Sequence, residues 1–286
     1  MSFDIVMGKR YIAISCLMLL FLAACGENGD KSVSPDDEPV SEGNSSSSIS
    51  VKSNSSSSTM ITNVFRDGSF YDDDNNTLTD LRDGHIYKTI TIDSVTWMAE
   101  NLNYAYTSGS YNYHGRFTSN FISWCYDEAY DNCSEYGRLY TWAAAMDSVG
   151  ERTTNGKGCG YGKTCSPTYP VRGVCPKGWH LPNNSEWETL FTAVGGSSTA
   201  GNVLKSQSGW KSRGNGTDTV GFSALPAGYR NYAGNFYDVG VYAHFWSSTD
   251  YVDDDAILMS LYFAHEYASL GSHYKGHGYS VRCVKD

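Results

Sequence analysis

Cysteine is the residue type whose spacing carries most chemistry in this chain of 286 residues, which holds eight of them. Cys25 closes the run Leu22-Ala23-Ala24-Cys25, at the end of an apolar stretch from Tyr11 to Ala24 that follows Lys9 and Arg10. Small residues before the cysteine admit a signal peptidase, and the freed thiol is then a site for a diacylglycerol. A spanning helix needs about 20 apolar residues, more than this stretch supplies. A basic flank, a short apolar core and small residues at the cut fit an export signal better. The expectation is a lipoprotein signal over residues 1–24 and a mature chain that starts at a lipidated Cys25. Asp4 sits oddly in a region that should be basic, and Met7-Gly8-Lys9-Arg10 would make a cleaner start. Gly26 and Glu27 follow the cysteine without an inner-membrane aspartate signal. The expected address is therefore extracytoplasmic, lipid-anchored at the outer membrane or cell surface.

Cys16 falls inside the signal, so six cysteines remain: Cys125, Cys133, Cys159, Cys165, Cys175 and Cys283. An even set in an exported chain reads as a disulfide framework. Six cysteines allow fifteen pairings. Economy of loop length favours Cys125–Cys133 and Cys159–Cys165, which leaves Cys175–Cys283. A metal or redox role for Cys159 and Cys165 is the rival reading, but their spacing fits neither zinc nor thioredoxin-type patterns.

Other reactive types are sparser. Asp72, Asp74 and Asn76 alternate as in a calcium loop, with Thr77 in the glycine position and Asp83 in place of the closing glutamate. A solvated loop is the preferred reading and weak calcium binding the alternative; no other cofactor is expected. His273 and His277 stand four apart with His265 nearby, but Gly271, Gly276 and Gly278 argue against a helix that would bring them together. They read as scattered loop histidines. Asp253-Asp254-Asp255 reads as a turn. Glu186 and Glu188 make a poor glycosidase pair, because Glu186 is better used as a helix cap. No nucleophile elbow or phosphate loop is present. Trp124, Trp210 and Trp246 lie near predicted loops and are the candidates for a sugar-stacking platform, against the plainer reading that they are core.

Formal net charge is −10, with no basic block after the signal, which argues against a nucleic-acid partner. Aromatic residues make up 14% of the chain and include 22 tyrosines. Tyrosine pairs a flat apolar face with a polar tip, which suits both a β-rich core and a sugar- or protein-binding surface.

These residues need elements to hold them. Residues 25–60 carry the lipidated cysteine and a serine-rich segment with tetraserine blocks at Ser45–Ser48 and Ser55–Ser58, too polar to fold. It reads as a tether spanning roughly 30–35 Å. Residues 61–77 are an acidic lead-in, and the folded domain is expected over 78–286. Asp83-Gly84 predicts a hairpin turn, with Ile86, Lys88, Ile90 and Ile92 on one face of the following strand and a partner strand at Thr96–Ala99. Leu139 to Met146 has helical spacing. Asn183 with Glu186 three residues on predicts a capping box, ahead of the stripe Trp187, Leu190, Phe191 and Val194 and a stop at Gly195-Gly196. A shorter helix is expected over 199–206. Four strands are expected at 222–229, 244–248, 257–263 and 279–284. Helices early and strands late give an α+β class.

Several segments carry a resemblance: Trp97-Met98-Ala99-Glu100-Asn101-Leu102-Asn103-Tyr104, Tyr136-Gly137-Arg138-Leu139-Tyr140-Thr141-Trp142, Cys175-Pro176-Lys177-Gly178-Trp179-His180-Leu181-Pro182, Gly221 to Arg230, Phe245-Trp246-Ser247-Ser248-Thr249 and Ser280-Val281-Arg282-Cys283-Val284. In this order the chain resembles the Fibrobacter succinogenes major paralogous domain over residues 78–286. That family is similar to the C-type-lectin-like and formylglycine-generating-enzyme fold group. The resemblance implies a loop-rich, disulfide-stapled, twisted antiparallel sheet with two main helices. The calcium-binding triplets of sugar-binding lectins (Glu-Pro-Asn or Gln-Pro-Asp, then Trp-Asn-Asp) do not occur here, so their sugar site does not carry over. Nor does the reactive cysteine pair of the formylglycine-generating enzymes, since Cys283 stands alone in its region.

The expectation is a non-catalytic, lipid-tethered binding module for a polysaccharide or an envelope protein. A formylglycine-generating-enzyme-like oxidoreductase and a purely structural envelope protein are the alternatives.

Overall fold

A computed structural model describes residues 67–107 and 122–286, with the backbone of 112–113 and 116–117. The expected signal over residues 1–24, Cys25 and the serine-rich stretch read as a tether lie outside the described residues.

Three turns build the first sheet. Strand β1 (Ser69–Asp72) folds back on β2 (Thr77–Asp80) across a turn whose N–H groups at Asp74 and Asn75 donate to Asp72 Oδ1. Strand β3 (His85–Ile92) follows the Asp83-Gly84 turn, where Gly84 at φ +79° donates its N–H to the Asp80 carbonyl. Asp93 and Ser94, both at positive φ, then make a two-residue turn into β4 (Val95–Met98), the geometry that suits the twist of paired strands. Two short hairpin pairs come next: β5 (Asn112–Tyr113) with β6 (Arg116–Phe117), and β7 (Ser123–Trp124) with β8 (Leu139–Tyr140). Helix α1 (Tyr130–Tyr136) lies between β7 and β8.

The expected helix over Leu139–Met146 is a correction. Leu139 and Tyr140 form β8, Thr141 caps through its side chain, and the helix α2 is only Trp142–Ala145. Helical spacing is overridden because Tyr140 exchanges backbone hydrogen bonds with Tyr279, far along the chain.

Strand β9 (Trp179–His180) and the last strand of the chain, Val284–Lys285, complete the first sheet, which is antiparallel throughout. Alternation sends Trp97 and Val284 into one core and Met98, Tyr87 and Cys283 into another, so the sheet centre is covered on both faces. That explains why the expected single buried face of β3 fails. Ile86 is 59% exposed and Tyr87 is buried, whereas further along Ile92 is buried in the other core.

Helix α3 (Asn184–Ala193) has the predicted capping box, with Asn183 Oδ1 accepting from Glu186 N–H and Glu186 Oε2 accepting from Asn183 N–H. It buries Trp187, Leu190 and Phe191. Helix α4 (Ser197–Leu204) packs so closely on its neighbours that a Cβ on Gly201 would lie 2.4 Å from the Tyr267 carbonyl oxygen.

The remaining strands are β10 (Ala227–Arg230), β11 (Phe236–Val239), β12 (Tyr242–Asp250), β13 (Asp255–Tyr262), β14 (Ala268–Tyr274) and β15, the closing Val284–Lys285. β12, β13 and β14 form an antiparallel meander, and β10 pairs with β11. Strand β14 covers part of the stretch whose glycines predict a loop, which is a correction. The expected strand at 279–284 is ladder-paired only at Val284; Tyr279 and Ser280 make single bridges to Tyr140 and Phe245.

Three disulfides join Cys125 to Cys133, Cys159 to Cys165 and Cys175 to Cys283. The whole is mixed but mostly strands, with few helices and a curled antiparallel sheet.

Candidate functional site

The β12–β13–β14 meander has two unlike faces. Ala243, Phe245, Met259, Leu261 and Ala268 point into the core with α3 and α4. The other face is set by cross-strand pairs: Tyr242 opposite Tyr262, His244 opposite Ser260, and Ser260 opposite Ser269. Small residues therefore stand at its middle and rings at its edges, the pattern that makes a hollow. Tyr229 from β10, His273 from β14, and His277 and Tyr279 from the segment after it close the sides. The result is a cup of about 410 Å³.

The rings form a connected set. Tyr242 stacks on His244 with centroids 4.9 Å apart and planes 11° from parallel. Tyr229 stacks on His277 at 5.6 Å, and Tyr232 on the same imidazole at 5.9 Å. Tyr279 Oη lies 3.0 Å from His277 Nδ1 and 3.3 Å from His273 Nδ1, so one hydroxyl links two imidazoles. His244 Nδ1 lies 2.5 Å from Ser260 Oγ.

Burial governs the charge of this cup. It pushes His244 down to about 3, helped by the neighbouring His273 and His277. It pushes His277 down to about 4, again with His273 adding to it. His273 is lowered by burial as well, against the opposing pull of Asp255. Burial raises the Tyr229 and Tyr242 phenols. At neutral pH His244 and His277 are uncharged, and with the tyrosines they present rings with hydroxyl and imidazole hydrogen-bonding edges beside the Asp238 carboxylate. Such a surface can stack on the apolar face of a sugar ring and hydrogen-bond its hydroxyls.

A larger cleft of about 510 Å³ lies beside β3, between Glu100, Glu135 and Asp218. Two of its carboxylates are engaged by the protein itself. Asp218 accepts from the N–H and hydroxyl of Ser223, and Glu100 accepts from the Lys88 N–H. Beneath it Arg282 is fully buried, with Nε and Nη2 donating to Asn101 Oδ1 at 3.1 and 2.9 Å and the Phe222 ring 4.3 Å away. Burial pulls its guanidinium down to about 9. Asn101, Phe222 and Arg282 come from three of the segments singled out in the sequence, and here they form a structural knot.

The three candidate tryptophans do not form a platform. Trp124 is 8%, Trp210 5% and Trp246 0% exposed. Trp246 Nε1 donates to the Tyr140 carbonyl, Trp210 Nε1 to Ser206 Oγ and the Ala224 carbonyl, and the Arg230 guanidinium covers the Trp124 ring at 4.0 Å. Lying near loops does not expose a residue when the loops fold over it. Asp72 spends its carboxylate within the β1–β2 turn, where Asn75 Nδ2 also donates to it; Asp74 and Asn76 belong to the same turn. Among the described residues no three His, Cys, Asp or Glu side chains gather into a metal-holding group. His273 and His277, read as scattered, converge with His244, and His265 reaches the same cup. His244, Tyr242 and Tyr262 were missed. Their signal was alternation: Tyr242-x-His244 against Ala243-x-Phe245, and Ser260-x-Tyr262 against Met259-x-Leu261.

A disulfide-stapled, mostly β domain with a concave aromatic face is the class that these elements define. The family model of the Fibrobacter succinogenes major domain matches residues 90–285, so the chain belongs to that family. No curated protein and no solved structure matches the chain.

Proposed function

We propose that this protein is an extracytoplasmic binding module that takes a polysaccharide in the tyrosine- and histidine-lined cup. In this reading the domain has a C-type-lectin-like fold, and Cys25 carries a lipid that anchors it at the outer membrane or cell surface. The cup is the observation that carries the reading: tyrosine and histidine rings, with His244 and His277 uncharged at neutral pH, around the hydroxyl-bearing Ser260 and Ser269. The disulfides fit an oxidising compartment. The test is affinity electrophoresis of the folded domain against a panel of neutral and acidic polysaccharides. Retardation by at least one neutral polysaccharide, reduced tenfold or more in Tyr242→Ala, is expected. A domain that no polysaccharide retards, but that pulls down an envelope protein, would replace the sugar with that protein. An oxidoreductase like the formylglycine-generating enzymes would need a reactive thiol, whereas all six cysteines from Cys125 onward are paired. Thiol counting under denaturing conditions is expected to find none of those six free.

A further inference from the structure

Two lysines are buried against backbone carbonyls, one at each end of β13. Lys275 is fully buried. Its Nζ donates to the carbonyls of Lys163 at 2.8 Å, Val252 at 2.7 Å and Asp253 at 3.2 Å, and lies 2.6 Å from Asp250 Oδ1. The Trp142 ring lies below it, 4.7 Å to the centroid. Lys205 is 3% exposed. Its Nζ donates to the carbonyls of Tyr262 at 3.3 Å, Phe263 at 3.4 Å and His265 at 2.9 Å, with the Trp210 ring at 5.3 Å.

Converging carbonyls with a carboxylate are the donor set of a hard-cation site. Here an ammonium with three N–H donors fills each centre. The carbonyl distances, from 2.7 to 3.4 Å, are longer than the roughly 2.3–2.6 Å of calcium–oxygen contacts. Each cage holds a wall of the cup. Lys275 stands between His273 and His277, and its own N–H donates to the Asp254 carbonyl. Lys205 gathers the carbonyls of Tyr262 and His265, whose side chains line the opposite side. Three carbonyls that converge without a cation, joined in the Lys275 cage by the Asp250 carboxylate, would repel one another, so a wall without its lysine would open.

We infer that the Lys205 and Lys275 ammonium groups are the resident cations of two oxygen cages that fix the cup's walls, so that the cup is built, and takes its ligand, without a metal ion. The ligand half rests on the proposed function; the cages do not, and they are tested without any polysaccharide.

The experiment is thermal unfolding of the full domain with EDTA or with millimolar calcium, alongside a Lys275→Ala variant. The wild-type midpoint is expected to be the same in both. The variant is expected to unfold at lower temperature and to recover part of the loss with methylammonium chloride, which brings an ammonium to the vacated cage. Tetramethylammonium chloride, with no N–H to donate, should restore nothing at the same ionic strength. A wild-type midpoint that falls in EDTA and rises with calcium overturns the inference, as does equal rescue by the two amines. If the variant does not fold, ¹⁵N-lysine NMR of the wild type decides. Slowly exchanging ammonium signals that persist in EDTA support the cages, and their absence rejects them.

Discussion

His244, His273 and His277 face one another across the cup, and among the described residues no carboxylate hydrogen-bonds any of them. Asp255 opposes the lowering of His273 from a distance, and Asp238 stands at the cup's edge. Protonating two of the three would place like charges in a buried space. The sign follows from their lowered values: the unfolded chain takes up protons first as pH falls below the ordinary histidine range. Their contribution to stability is therefore complete above about pH 6.5 and is lost as pH falls toward about 4 and then about 3. Each histidine adds a slope of up to about 1.4 kcal/mol per pH unit in that window. Urea unfolding at a series of pH values should show this slope, and His277→Phe, which keeps a ring and removes the charge, should flatten it. A wild-type slope that His277→Phe leaves unchanged would place the acid sensitivity elsewhere. Polysaccharide retention should weaken over the same range, since a charged cup repels its own walls.

At the level of elements, Glu186 joins the start of α3 to the sheet. One carboxylate oxygen accepts from Asn183 N–H, and the other lies 2.7 Å from His180 Nε2. His180 Nδ1 lies 2.7 Å from Asp286 Oδ1, so the imidazole bridges the helix start and the chain's last residue. Burial pulls His180 down, but the two carboxylates outweigh it and leave its value raised. This contribution runs opposite to the cup's: it is full below about pH 6.5 and is lost as pH rises through the raised value. Glu186→Ala is expected to destabilise by about 0.3–1.5 kcal/mol from loss of its half of the capping box, and to lower the His180 value measured by NMR. A histidine titration that does not move would show that Glu186 acts only on the helix. The capping box was legible in the sequence because its donors and acceptors lie within four residues. The strand at Leu139–Tyr140 was not, because its partners are Ser123 and Tyr279. Gly271 predicts a break in regular structure; in the sheet it sits within β14 opposite Leu258, a partner that no local pattern shows. Alternation in β12 and β13 told which side chains share a face, but not that two faces of one meander have different neighbours.

Across the whole molecule, the first sheet depends on joining distant parts of the chain. Its order places β15, the end of the chain, between β4 and β9. Cys175–Cys283 ties the segment before β9 to the residue before β15 across a separation of 108 residues, whereas Cys159–Cys165 spans only 6. In the chain-entropy account a long closed loop restricts the unfolded state more than a short one, by about 2 kcal/mol for loops of these sizes. The pairing was legible because the two short loops account for four cysteines and leave only one further pair; the sheet order was not, since no local pattern places Val284 beside Trp97. Replacing both cysteines of the long-range pair with serine is therefore expected to destabilise the domain by about 2 kcal/mol more than replacing Cys159 and Cys165. Urea unfolding of the two double variants under identical conditions measures the difference. Both cysteines of the long pair are buried between packed side chains, so the serine hydroxyls add a desolvation cost in the same direction. Equal losses in the two variants would mean that native packing holds the sheet together without help from the long crosslink.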